Sequence, residues 1–157
     1  MNNALTNQPI ASLPVLNQLN LVVKNMAASI AFYRLLGIAI EPAAHPGWRA
    51  HHATAIMPNG MRLELDSELF AKQWNAGWQT AQAGANGVIF FYVKSRDEVD
   101  RLYAEMTHAG YESQQYPLDA FWGARYAIVL DPDNNPVGIM SPIEPDRRSV
   151  PPPPPSD

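Results

Sequence analysis

The sequence predicts an α+β fold: two paired βαβββ modules whose curved mixed sheets surround a cleft. Three observations predict it. The stretch Trp122 to Ile139 reads as two strands around a tight turn, and it has a gapless echo in Trp48 to Leu65. Trp48 and Trp122, Pro58 and Pro132, and Glu64 and Gly138 each lie 74 positions apart. Upstream, Leu19 to Lys24 matches Ile89 to Lys94 at a spacing of 70, and Phe32-Tyr33 falls under Leu102-Tyr103 at the same spacing. Each copy also carries one helix-like segment between first strand and hairpin. Internal repetition is weighed before local readings. Two copies are too few for a solenoid, and they suit two units that cannot bury their faces alone.

The elements follow in order. Residues 1–14 are polar, small and without period, which reads as a flexible arm. Val15 to Val23 alternates, with Gln18, Asn20 and Val22 on one face and Leu19, Leu21 and Val23 on the other, as a strand does. Asn25 is suited to cap a helix from Met26 to Leu36, and Gly37 to end it. Ile38 to Glu41 is a short strand. A hairpin from Trp48 to Asp66 turns at Met57-Pro58-Asn59-Gly60, where Asn-Gly is a turn dipeptide. Ser67 to Trp78 reads as a helix with Phe70, Trp74 and Trp78 at spacing four, and Gln79 to Asn86 as a linker.

The second copy begins with a strand from Gly87 to Val93. Ser95-Arg96-Asp97-Glu98 has the pattern of a capping box. The helix Arg96 to His108 sets Val99, Leu102, Tyr103 and Met106 on one face. Tyr111 to Tyr116 is a strand. Ala124 to Leu130 and Val137 to Met140 flank Asp131 to Asn135, residues that turn readily. One domain is expected over 15–142, with modules at about 15–78 and 86–142. Residues 143–157 form a Pro-rich tail, and Pro151 to Pro155 cannot join a sheet.

Composition narrows the function. Hydrophobic residues make up 46% of the 157 and charged ones 17%, the balance of a folded globule. A formal charge of −4 gives no footprint for nucleic acid or an anionic membrane surface. There is no cysteine, hence no thiol nucleophile, which fits a reducing cytoplasm. No apolar run approaches the roughly 18 residues of a membrane helix, and the N-terminus lacks a basic-then-apolar leader. A cytoplasmic protein is expected.

The paired modules, the segment Phe32-Tyr33-Arg34-Leu35-Leu36-Gly37 and the Asp131-to-Asn135 turn together resemble the vicinal oxygen chelate superfamily of glyoxalases, bleomycin-resistance proteins and extradiol dioxygenases. The resemblance runs from about Leu16 to Ser141. It implies that each sheet cups a cleft in which ligands sit. In metal-dependent members, each module offers one ligand from its first strand and one from its last. Carried over, those positions are Gln18, Glu64, Val88 and Gly138. The first two carry oxygen donors, but the last two carry none. A catalytic metal ion needs at least about three protein ligands, so no metal and no cofactor is expected. His45, His51 and His52 do not fall on the missing positions, and only one of the adjacent His51 and His52 can face the cleft.

The stretch from Ala120 to Asn135 resembles the bleomycin-resistance branch. That implies a metal-independent, homodimeric small-molecule binder, sequestering an aromatic or antibiotic-like ligand and so conferring resistance. The ligand-binding residues expected are Gln18, Asn20, Trp48, Glu64, Phe90, Tyr92, Phe121, Trp122 and Arg125, with aromatic rings covering the ligand and polar groups orienting it. Phe90 and Tyr92 share the strand parity of Val88 and point the same way. A second reading is a glyoxalase-like lyase or isomerase with Glu64 as its catalytic base, with or without a divalent metal. Against both, Glu64 has a structural role open to it as the ion-pair partner of Arg62, Arg49 or Arg125. A third reading makes the chain an interaction protein whose proline tail docks on an aromatic groove.

Overall fold

The computed structural model describes residues 16, 18–76 and 87–153. The expected N-terminal arm, the linker, Trp78 and the last prolines lie outside the described residues. The first module contains β1 (Gln18–Val23), α1 (Met26–Leu35), β2 (Glu41–Pro42), β3 (His52–Ile56), β4 (Arg62–Ser67) and α2 (Glu68–Trp74). The second contains β5 (Ile89–Tyr92), α3 (Arg96–His108), β6 (Ser113–Asp119), β7 (Arg125–Leu130) and β8 (Pro136–Met140). The two sheets have matching orders, β1-β4-β3-β2 and β5-β8-β7-β6. In each, the first strand runs parallel to the last, and the remaining pairs are antiparallel.

Local chemistry explains the boundaries. The Asn25 side chain accepts from the Ala28 amide at 3.0 Å, closing the N-terminus of α1. Ser95 does the same for Glu98 at 3.2 Å. The expected reciprocal arm is diverted, because Glu98 instead holds Arg101 at 2.5 Å. Gly37 and Gly110 both end helices at φ +98°, the left-handed backbone that favours glycine. β2 is only two residues long, since Ile40 is drawn into the core and its carbonyl accepts from Arg34. Trp48 sits in a 3₁₀ turn that Pro46 opens, ahead of β3 rather than in it. β6 lies further along the chain than expected and contains Pro117. It is an edge strand with a register shift at that point, where a residue without an amide hydrogen is tolerated.

The modules pair within the chain, through α1. Phe32 meets Tyr111 of the second module edge-on at 4.8 Å, and Tyr33 meets Phe91 at 6.2 Å. Both are fully buried; burial of a side chain like Phe32 contributes roughly 2–3 kcal/mol. The Tyr33 hydroxyl donates to Asp131 at 3.0 Å. Burial, and then the nearby Asp131, push the Tyr33 phenol above its ordinary value. Asp133 accepts from the Lys24 amide and the Ser29 hydroxyl. The β7–β8 turn is thus fastened onto α1, and one apolar cluster spans both modules. Among the described residues no helix is long and apolar enough to cross a membrane.

Candidate ligand-binding cups

Strand alternation puts Leu63 and Leu65 into the core and turns their neighbours to the opposite face. Register then forms three rows across the first sheet: Gln18–Arg62–Ile56, Asn20–Glu64–Thr54 and Val22–Asp66–His52. Gln18 therefore lies opposite Arg62, and Asn20 is the residue opposite Glu64. The polar members of these rows close into one network. Asn20 donates to Asp66 at 2.8 Å, and Gln18 donates to Asn20 at 2.7 Å. His52 Nδ1 lies 2.8 Å from Asp66 Oδ1. Thr54 donates to Glu64 Oε2, and Arg62 donates to Oε1 at 2.6 Å. Glu64 and Asp66 are 2% and 1% exposed, so a solute meets their partners first. The His52 ring is about a third open, with Nε2 3.2 Å from Thr54 and 3.4 Å from Glu64. Phe70 of α2 stands edge-on to His52 at 5.6 Å, and with Trp74 it walls a cleft of about 530 Å³ over this face.

The second sheet turns a different face outward. Its rows are Phe90–Gly138–Ile128 and Tyr92–Met140–Tyr126. The Phe90 ring lies over Gly138 so closely that a Cβ there would collide with it. From Phe90 the aromatic contacts run to Tyr126 at 6.2 Å, then to Trp122, stacked on Tyr126 at 5.5 Å, and then to Phe121 at 5.0 Å. Tyr92 and Tyr116 are about two-thirds exposed. Between the modules lies an apolar cleft of about 500 Å³, lined by Leu19, Ile38, Met57, Met61, Phe90 and Tyr92 among others. Arg62 borders both this cleft and the polar cup.

The structure thus brings Gln18, Asn20 and Glu64 together in the first cup, and Phe90, Tyr92, Phe121 and Trp122 along the second. Trp48 lies beside the first cup, edge-on to Phe70 at 4.9 Å. Arg125 joins neither group. It shares the parity of Ala127 and Val129, faces the helix side, and is held by Asp100 at 2.8 Å and Asp119 at 2.6 Å. Those two carboxylates hold its guanidinium above its ordinary value, and Arg125 holds Asp119 below its own. Of the three arginines weighed for Glu64, Arg62 is its partner. Thr54, Asp66, Phe70 and Trp74 were not expected in the site, and of the adjacent His51 and His52 it is His52 that faces the cup. For the strand residues the signal lay in alternation, since 52, 54, 64 and 66 share one face. The α2 residues depended on a tertiary packing angle that spacing does not encode.

A metal ion does not fit this donor set. Val88 and Gly138 carry no donor, the Phe90 ring occupies the space at Gly138, and the Arg62 cation already sits on Glu64. Among the described residues, no group of three or more His, Asp or Glu side chains is placed to hold one.

Comparison with known proteins agrees with the architecture. A model of the glyoxalase/bleomycin resistance protein/dioxygenase superfamily matches residues 15–139. The chain belongs to that superfamily. No curated protein matches it significantly. Among solved structures, a glyoxalase/bleomycin resistance protein/dioxygenase family enzyme from Burkholderia phytofirmans PsJN is similar at 17% identity and a TM-score of 0.68, over 80% of this chain and 97% of that one. A glyoxalase/bleomycin resistance protein/dioxygenase from Nocardioides is similar at 24% identity and a TM-score of 0.65, over 85% and 86%. A lactoylglutathione lyase from Agrobacterium tumefaciens is similar at 17% identity and a TM-score of 0.60, over 83% and 95%. These likenesses concern the fold.

Proposed function

We propose that the protein is a metal-independent binder that sequesters an aromatic or antibiotic-like small molecule. The observation that carries this reading is the Phe90 ring over Gly138: where a chelating module needs a donor, this one presents an aromatic face. A flat, apolar ligand body stacks on Phe90 and Tyr92 in the cleft between modules. Its polar end passes Arg62 and reaches Gln18, Asn20 and His52. The cleft volumes lie within the roughly 300–1,000 Å³ typical of small-molecule sites. Both cups are open in the single chain, and a second copy, in the expected homodimer, closes them from water.

Native mass spectrometry of protein taken directly from cell extract tests the reading by retention of a small organic molecule. For any ligand so found, Phe90→Ala and Gln18→Ala each weaken binding about tenfold, roughly 1.4 kcal/mol, and added nickel, zinc or manganese changes nothing. A stoichiometric divalent ion held by both Gln18 and Glu64 would overturn it.

A second reading, proton-transfer catalysis, is favoured by one observation, the Asp66–His52 pair. Glu64 has both oxygens engaged and is closed off, whereas His52 is braced at Nδ1 by a buried carboxylate and partly open. The acid–base group is then His52 rather than Glu64, worth roughly 10²–10⁴-fold. Product accumulating beyond the protein concentration distinguishes this reading from sequestration, and loss of that turnover in His52→Gln assigns the step to His52.

A further inference from the structure

Arg62 has donors that the polar network does not use. The arginine expected to orient a ligand, Arg125, is spent on Asp100 and Asp119. Arg62 is committed differently. Its Nε donates to Glu64 Oε1 at 2.6 Å, and neither Nη nitrogen has a partner among the described residues. A guanidinium is a rigid planar fork of N–H donors, so a bond at Nε leaves its Nη edge open. Glu64 is buried and is also held by Thr54. The guanidinium is therefore anchored before any ligand arrives.

The sign of the open charge follows from the same contacts. Both oxygens of Glu64 have donors, Arg62 and Thr54, and both of Asp66 have theirs, His52 and Asn20. These two carboxylates are closed off, whereas the Arg62 side chain is 46% exposed. The charge open to a solute is therefore positive. The same side chain lines the cleft of about 500 Å³ between the modules, and among the described residues it is the one charged side chain there. Met57, Met61, Phe90 and Tyr92 line that cleft with it. Methionine walls adapt to the outline of a ring, and aromatic faces stack on it. An apolar space bordered by a single cation suits a flat ligand with a single anionic group.

We propose that the ligand is a planar aromatic acid, held by its carboxylate at the Nη edge of Arg62. The inference rests on the sequestration reading above and names the chemical class of the ligand. The aromatic body lies against Phe90 and Tyr92. The carboxylate sits where the ligand passes Arg62, and its two oxygens meet the two Nη groups in parallel, the bidentate geometry a guanidinium favours. Arg62 then bridges two carboxylates, that of Glu64 behind it and that of the ligand in the cleft. An amine in the same place would face a cation, and a neutral amide would give up the charge.

Isothermal titration of the full-length protein with naphthalene-2-carboxylate, its carboxamide and naphthalene-2-methanamine tests this. The carboxylate binds about tenfold more tightly than the carboxamide, the contribution of one charge-assisted pair, and the amine binds more weakly than either. Arg62→Gln abolishes the preference for carboxylate over carboxamide. Arg62→Lys keeps a charge beside Glu64 but has no fork, and it reduces the preference to about threefold. The wild-type ratio and the lysine variant decide the matter should Arg62→Gln fail to fold. Equal affinity of wild-type protein for carboxylate and carboxamide overturns the proposal and leaves the sequestration reading standing. So does a preference that survives in folded Arg62→Gln protein. If none of the three compounds binds, the proposal and the aromatic-binder reading fall together.

Discussion

Glu64 and Gly138 hold the same place in two sheets of the same order, and so do Asn20 and Phe90, the residues opposite them. In the first sheet the place is a carboxylate tied to Arg62 and Thr54. In the second it is a hydrogen atom under an aromatic ring. The core-facing positions did not diverge in this way. Ala53, Ala55, Leu63 and Leu65 correspond to Ala127, Val129, Val137 and Ile139, and all eight are buried and apolar. The frame is therefore set by one side of each sheet, and the other side is free to change chemistry. The turns diverged too. Met57 in the exposed first turn corresponds to Asp131, which is 3% exposed and fastens the second turn to α1.

That difference predicts the largest effect. Asp131 accepts from the amides of Asp133 and Asn135, the Asn135 side chain and the Tyr33 hydroxyl. Asp131→Ala leaves these donors unmatched and costs about 3 kcal/mol, toward the upper end for buried donors left without a partner. Met57→Ala in the first turn costs far less, and urea unfolding midpoints measure both. Equal costs would mean that the β7–β8 turn does not fasten the modules together.

Next in size is Gly138→Ala, at about 2 kcal/mol, because the new methyl group meets the Phe90 ring. The same substitution made on a Phe90→Ala background costs much less. A coupling energy near zero in that double-mutant cycle would show that Phe90 does not guard the site.

The pH dependence distinguishes the fastening from the rest of the core. Tyr33 is raised above its ordinary value, so the folded protein favours the neutral phenol. Its contribution is fully present below about pH 10, the unfolded value, and falls as pH rises above it. The loss approaches roughly 1.4 kcal/mol per pH unit. Tyr33→Phe should flatten this alkaline limb in unfolding measurements between about pH 9 and 11, and an unchanged slope would remove the role given to burial.

Much of this was legible in the sequence because a gapless repeat fixes register. The spacings of 74 and 70 place Gly138 under Glu64 and Phe90 under Asn20, and strand pairing follows those assignments. What the sequence does not reveal depends on contacts between distant elements. Asp131 reads only as a turn residue until α1 presents Tyr33. Arg125 reads as a binding cation until its parity sets it against α3 and Asp100. His52 and Asp66 were on the cup side by alternation, but their pairing needs the β3–β4 register, which the length of the intervening turn decides.

The smallest expected effect tests the repeat itself. Gly60 and Asn134 occupy equivalent places, and both have left-handed backbones, at φ +85° and +65°. A Cβ at Gly60 meets nothing within 4 Å, so a substitution there is opposed by backbone conformation alone. Gly60→Ala should cost about 1 kcal/mol, because alanine resists positive φ. Gly60→Asn should cost less than half as much, since asparagine tolerates that region and already holds the equivalent place in the second module. Urea midpoints for the two variants decide the matter. If asparagine is as harmful as alanine at residue 60, the turns are not interchangeable, and the equivalence of the modules stops at their strands.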